Sequence, residues 1–220
     1  MKSEFVKNYN LPVCKYRGSK QDIKYPCYAS LKIDGELQYV IKKDNKVFSV
    51  NKSKYGRKRE DYPALEEFKR LSLPDGIYLC ELYWNEGKTK EDFYGLLRNR
   101  NSDELKLVWW GLLQQYDEIY FTAEKVFNYL SWYLKETKNF KYFSVIPFWT
   151  IYDKDDLNIL IDKYIYKLGY EGLVVFSKDA VWREGSTNKI VKIKERKREE
   201  NTKNKNNKVN LKLNKYGIWL

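Results

Sequence analysis

Lys32-Ile33-Asp34-Gly35 is the stretch best suited to chemistry, because it sets a lysine where an apolar strand gives way to an acidic glycine turn. A lysine is a weak nucleophile at its free pKa and attacks only where its setting removes the proton. Neighbouring cations, a metal ion included, favour the neutral amine. Asp34-Gly35 supplies a tight turn into Leu37–Lys42, so that the backbone doubles back beside a ligand. The plain alternative is a surface lysine before a hairpin turn. Four later elements bear on that choice: Ser53-Lys54-Tyr55-Gly56, Glu81, Glu171-Gly172-Leu173-Val174-Val175 and Ile190-Val191-Lys192-Ile193-Lys194. Lys192 and Lys194 alternate along a strand, so both side chains leave one face; on an edge strand they would be ordinary surface lysines. Glu171 borders a buried strand, where a carboxylate is costly unless paired or metal-bound. Its alternative is a solvated residue that opens the strand.

These residues need a scaffold, and the pattern predicts one of mixed strands and helices. Tyr28–Ile33 and Leu37–Lys42 read as paired strands, and Asp44-Asn45 turns into a third strand over Lys46–Val50. Residues 1–26 read as irregular, and Asn51–Asp61 as a basic loop. Pro63 starts a short helix with Leu65, Phe68 and Leu71 at helical spacing. Gly76–Trp84 is a strand with Ile77, Leu79 and Glu81 on one face and Tyr78, Cys80 and Leu82 on the other. Glu81 is out of place in a plain core strand, unless it is a buried partner for a lysine. A helix is expected over Lys90–Arg100 and an apolar strand over Leu105–Leu113. Phe121–Lys135 is an amphipathic helix capped by Thr122, with Val126, Phe127, Leu130 and Leu134 as its stripe. A strand over Tyr142–Ile151, a helix over Asp153–Leu168 closed by Gly169, and strands over Glu171–Phe176 and Lys189–Lys194 complete the core. Hairpins mixed with helices argue α+β rather than a doubly wound sheet.

Composition narrows the chemistry. The 220 residues allow one sizeable domain, and 43% hydrophobic content supports a core. Lys+Arg 42 against Asp+Glu 30 gives +12, which favours a polyanionic partner, nucleic acid before membrane. Histidine is absent, which excludes histidine bases, triads and metal ligands. Any metal is then a hard cation on oxygen ligands. Cys14, Cys27 and Cys80 are scattered and odd in number, which argues against a disulfide framework or a zinc site and fits a reducing compartment. No signal peptide or membrane span is visible. A cytoplasmic setting, of cellular or viral origin, is the expectation.

In order and spacing the five elements resemble the nucleotidyltransferase domain of ATP-dependent polynucleotide ligases, the covalent nucleotidyltransferases that also include mRNA capping enzymes. The resemblance covers residues 11–195. It implies an α+β, ATP-grasp-like fold of antiparallel sheets flanked by helices, as one nucleotidyltransferase domain over residues 1–195. Residues 196–220 would be a basic linker and short tail, with Val209–Leu213 as a lone strand. They are too few for the OB-fold barrel that usually follows in the family, so slow self-adenylylation and weak or no nick sealing by this chain alone are the expectation, unless a partner supplies the clamp.

The resemblance also implies roles. Lys32 would become lysyl-AMP, with Lys192 and Lys194 on the phosphates and Glu171 assisting and holding Mg2+ or Mn2+. Glu81 would meet the ribose, and Lys54 the ribose and the nucleic-acid strand. Asp34 and Gly35 belong with the nucleotide-binding set, Ser30 with the adenine edge. Trp110 would stack on adenine, with Trp109 as the other candidate. The sequence departs from the pattern at Leu37 for Arg, Gly111 for Asp, Phe176 for Lys, and Lys54 for Arg, which loses the planar fork. The implied activity is an ATP-dependent DNA ligase that seals nicks in duplex DNA. An RNA ligase, a capping guanylyltransferase and a non-catalytic nucleic-acid-binding module are the alternatives.

Overall fold

Two sheets carry the fold in the computed structural model, which describes residues 11–51, 58–60, 62–84 and 105–194. The first has the order β1 (Cys14–Gly18), β12 (Gly185–Lys194), β11 (Gly172–Ser177), β2 (Cys27–Leu31), β10 (Phe148–Ile151). The second runs β5 (Lys58–Arg59), β4 (Lys46–Asn51), β3 (Glu36–Lys43), β6 (Gly76–Trp84), β7 (Leu105–Gln115), β8 (Glu118–Ile119), with β9 (Phe143–Val145) also paired to β7. Pairing is antiparallel except for β1 with β12 and β7 with β9. The second sheet is therefore one continuous segment of chain, Glu36–Val145, inserted between β2 and β10 of the first. The architecture is α+β, and no barrel closes among the described residues.

Local chemistry sets each element. Asp44 and Asn45 both adopt positive φ, 49° and 62°, as a two-residue hairpin turn requires, and join β3 to β4. Pro63 occupies the first turn of α1 (Pro63–Lys69), whose Leu65 and Phe68 are fully buried. Thr122 accepts the Lys125 N–H and caps α2 (Ala123–Glu136). Asp153 accepts the Asp155 and Asp156 N–H groups, each at 2.9 Å, and caps α3 (Lys154–Leu160). The buried Glu67 of α1 is satisfied by the N–H groups of Lys141, Tyr142 and Phe143 at 2.7–2.8 Å, which fixes the start of β9. No described helix is long and apolar enough to cross a membrane.

Five expectations need correction. Tyr28–Ile33 and Leu37–Lys42 are not a hairpin: β2 pairs with β11 and β10, whereas β3 pairs with β4 and β6. Residues 32–35 cross from one sheet to the other. Residues 14–18, expected to be irregular, form the edge strand β1, because β12 offers it a parallel partner. Tyr142–Ile151 splits at Ile146-Pro147, since proline cannot donate to a ladder, and its halves join different sheets. Leu134 is 40% exposed; Tyr133 takes the inner face instead, 5.4 Å from the Trp109 ring. Lys58–Arg59, expected to lie in a basic loop, form β5 against β4. The helix expected over Asp153–Leu168 is present, with π-type turns over Ile161–Lys167, and ends at Gly169 at φ 71°. Ser53–Gly56 with Lys54, the Lys90–Arg100 helix and the Val209–Leu213 strand lie outside the described residues.

Candidate functional site

An open cleft of about 500 Å3 lies between the sheets, and both crossings of the chain border it through Lys32, Ile33 and Ile146. The first sheet presents a cross-strand row to it. Phe148 opposes Ser30, Ser30 opposes Val174, and Val174 opposes Lys192. Because side chains alternate, the adjacent row of Leu31, Leu173 and Ile193 turns the other way and packs beneath α3. The second sheet presents Glu81 from β6 and Trp110 from β7.

Charge concentrates at one end. The Lys32 N–H donates to the Gly172 carbonyl at 2.9 Å, which pins the residue just past β2. The Lys32 Nζ then donates to Glu171 Oε2, and Lys194 Nζ lies 2.7 Å from Glu171 Oε1. Burial pushes the Glu171 carboxyl up, but hydrogen bonds from Lys194 and Lys32 overcome it and hold the group below its ordinary value. Glu81 has the opposite fate. Burial pushes it up to about 7, and the charges of Lys32 and Lys192 offset only part of that shift. Lys192 is lowered by partial desolvation first, then by the like charges of Lys32 and Lys194. Its Nζ stands 4.4 Å over the Tyr16 ring.

The structure thus brings Lys32, Glu171, Lys192, Lys194, Glu81, Ser30 and Trp110 to one cleft. The two tryptophans differ in place: Trp109 is fully buried among Phe68, Tyr78 and Tyr129, whereas Trp110 lines the cleft. β12 lies between β1 and β11, but β1 pairs with it only as far as Val191, so Lys192 and Lys194 run past β1 with β11 alone as partner. Gly35 does not line the cleft, but a Cβ there would collide with the Leu82 carbonyl oxygen and Glu81 Cγ, so glycine lets the crossing lie against β6. Asp34 is exposed and acts on Glu81 as a charge. Of the four departures, the three among the described residues take part in the packing: Leu37 packs on the Tyr39–Ile41–Leu79 cluster, Phe176 lines the cleft and meets Phe127, and the Gly111 carbonyl accepts the Trp109 indole N–H at 2.7 Å. Sequence reasoning missed Tyr16, whose signal was the alternation of Cys14, Tyr16 and Gly18 in a stretch read as irregular.

No protein-family model and no curated protein matches the sequence. Solved structures do match in shape. One is described as Pmar-Lig_PreS3, at TM-score 0.66 and 14% identity over 87% of this chain and 50% of that one. A structure from work on DNA binding by the minimal Lig E DNA ligases gives 0.58 and 20% over 84% and 68%. The ATP-dependent DNA ligase of bacteriophage T7, complexed with ATP, gives 0.60 and 16% over 82% and 68%. The chain spans about half the length of the first of these. At such identities the likeness is one of architecture: the chain has the nucleotidyltransferase fold of ATP-dependent DNA ligases.

Proposed function

We propose that this chain is the adenylation domain of an ATP-dependent DNA ligase. One observation carries the reading: Lys32, Glu171, Lys192 and Lys194 converge at one end of a cleft whose wall also bears Trp110. In the first step Lys32 Nζ bonds to the α-phosphorus of ATP and pyrophosphate leaves, giving lysyl-AMP. AMP then passes to a 5′-phosphate at a nick. The adjacent 3′-hydroxyl attacks that phosphate, closes the strand and releases AMP. Glu171 holds Nζ in place before the first step. Lys192 and Lys194 offset the charge that develops on the departing phosphates. Trp110 offers the base a flat apolar surface, Ser30 meets its edge, and Glu81 accepts from the ribose hydroxyls.

The donor set fits Mg2+ or Mn2+. Among the described residues no three acidic or cysteine side chains cluster to cage an ion by themselves. Magnesium is held in such sites by one or two carboxylates together with substrate phosphates, and Glu171 is the carboxylate in place. When bound, the ion supplies positive charge to the phosphoryl oxygens.

A second, open hollow of about 870 Å3 supports a nucleic-acid substrate. Arg17 and Arg183 line it together with Ser186, Thr187 and Asn188, and with Lys189, whose ammonium is paired with Asp179 in the same lining. Forked guanidiniums beside short polar side chains suit backbone phosphates. No disulfide joins Cys14, Cys27 and Cys80, all three of them buried, in keeping with a reducing interior.

Incubation with labelled ATP or GTP and magnesium, followed by a denaturing gel, tests it. An AMP adduct is expected. A GMP adduct would support capping chemistry, and no adduct a binding module. Joining assays on nicked duplexes with either sugar at the 3′ side then separate DNA from RNA ligation.

A further inference from the structure

We propose that Tyr16 is a positioning residue for Lys192, and that it couples the phosphate end of the cleft to the wall that receives the base. The inference rests on the nucleotide reading of the cleft. Lys32 and Lys194 share the Glu171 carboxylate, but among the described residues Lys192 has no carboxylate partner. Like charges on Lys32 and Lys194 push it away. Glu81 and Glu171 attract it only at a distance, and its close side-chain contact among the described residues is the Tyr16 ring, whose centroid lies 4.4 Å from Nζ. The electron-rich face of an aromatic ring attracts an ammonium without neutralising it. A carboxylate in that place would compete with an incoming phosphate, whereas the ring leaves the charge available.

The backbone is built to put the ring there. Tyr16 pairs with Thr187, but Gly18, two residues on, pairs with Val191, so two residues of β1 answer four of β12. That irregularity draws the Lys192 end of β12 back toward Tyr16, whose ring meets the Lys192 ammonium. It needs glycine at position 18, where a Cβ would collide with the Asn188 carbonyl oxygen and lie 2.7 Å from Val191 Cγ2. On its other side the Tyr16 ring meets Trp182 edge-on, with centroids 5.5 Å apart at 63°. Trp182 meets Trp110 in the same manner at 5.0 Å and 75°. An unbroken series of contacts therefore runs from the ammonium of Lys192 to the aromatic wall at Trp110. A base that settles on Trp110 and a phosphate that engages Lys192 press on the two ends of one packed unit.

A double-mutant cycle on the full chain tests this by calorimetric binding of inorganic tripolyphosphate and by the rate and ATP dependence of adduct formation. Tyr16→Leu should weaken tripolyphosphate binding about tenfold, the size of a partly desolvated cation–π contact, and raise the ATP concentration for half-maximal labelling. Tyr16→Phe, which keeps the ring, should recover most of the loss. In a Lys192→Met background, Tyr16→Leu should change binding by less than about twofold, because coupled residues do not add. Additive losses overturn the proposal, and so does a Phe variant that behaves like Leu or a wild-type chain that binds no tripolyphosphate. A wild type that binds tripolyphosphate but forms no adduct would count against the transfer reading alone, and the cycle would still report on Tyr16.

Discussion

The two walls of the cleft each offer a glutamate, and the pair meets opposite fates. On the first sheet Glu171 is bracketed by Lys32 and Lys194 and stays ionised. On the second sheet Glu81 is desolvated, feels its lysines only at a distance and the charges of Asp34 and Glu36 against it, and is pushed up to about 7. The same side chain is a fixed charge on one wall and a proton-sensitive hydrogen-bonding group on the other. The difference is one of partners: a desolvated carboxylate is tolerated when cations donate to it directly and becomes costly when they do not. The first wall is thus a charged clamp, and the second a surface for neutral or weakly charged parts of a ligand.

The sharpest way to break this contrast is to remove the nucleophile. Lys32→Ala should abolish the covalent AMP adduct while circular dichroism shows a folded chain; labelling at the wild-type rate would refute the central assignment. Loss of the clamp comes next. Glu171→Ala and Lys192→Ala should each slow adduct formation by about 10²-fold, as loss of a charge-stabilising group does, and normal rates in both would reduce that wall to scaffolding.

The glutamates themselves give paired tests of opposite sign. Glu81 binds its proton more tightly folded than unfolded, so ionising it costs stability as pH rises from about 4.5 to about 7. Glu81→Gln should therefore raise the melting temperature at pH 8 and do little at pH 4.5, with a ceiling of about 3 kcal/mol. Glu171 is held below its ordinary value, so its contribution is present above that value and lost as pH falls through the folded pKa. Glu171→Gln should lower the melting temperature at pH 7 and lose that effect in acid. Parallel pH profiles for the two variants would erase the contrast.

The smallest effect concerns the outer side of the first sheet. Duplex DNA binding should weaken steeply with salt, and Arg17→Ala and Arg183→Ala should each reduce the salt slope by about 1. Unchanged slopes would confine the cationic surface to the cleft.

Much of this site could be read from residue order, because Lys32, Glu81, Glu171 and the Lys192–Lys194 pair each sit on short strands whose alternation fixes the direction of the side chain. The strand partners could not be read. An apolar run before Asp34-Gly35 looks the same whether it returns to its neighbour or crosses to another sheet, and the choice is made by β11, far along the chain. Ile146-Pro147 posed the same difficulty, since proline marks a break but not the destination. Trp109 and Trp110 could not be told apart until the register of β7 set one inward and one toward the cleft. Tyr16 was hidden for another reason: β1 is short, polar and at an edge, and it takes its conformation from β12 rather than from its own propensity.

The insertion of Glu36–Val145 into the first sheet also sets an order of assembly. The inserted sheet is stitched from strands that are near neighbours along the chain, whereas β2 must wait for β11, and Lys32 finds Glu171 across 139 positions. Closing such a span costs entropy before any contact rewards it, so pairings of this kind form late. A chain in which only the inserted sheet has formed holds a lysine with no counter-charge and half a pocket. Self-labelling is then a chemical stopwatch for folding, silent until β2 has met β11 and Lys32 has met Glu171.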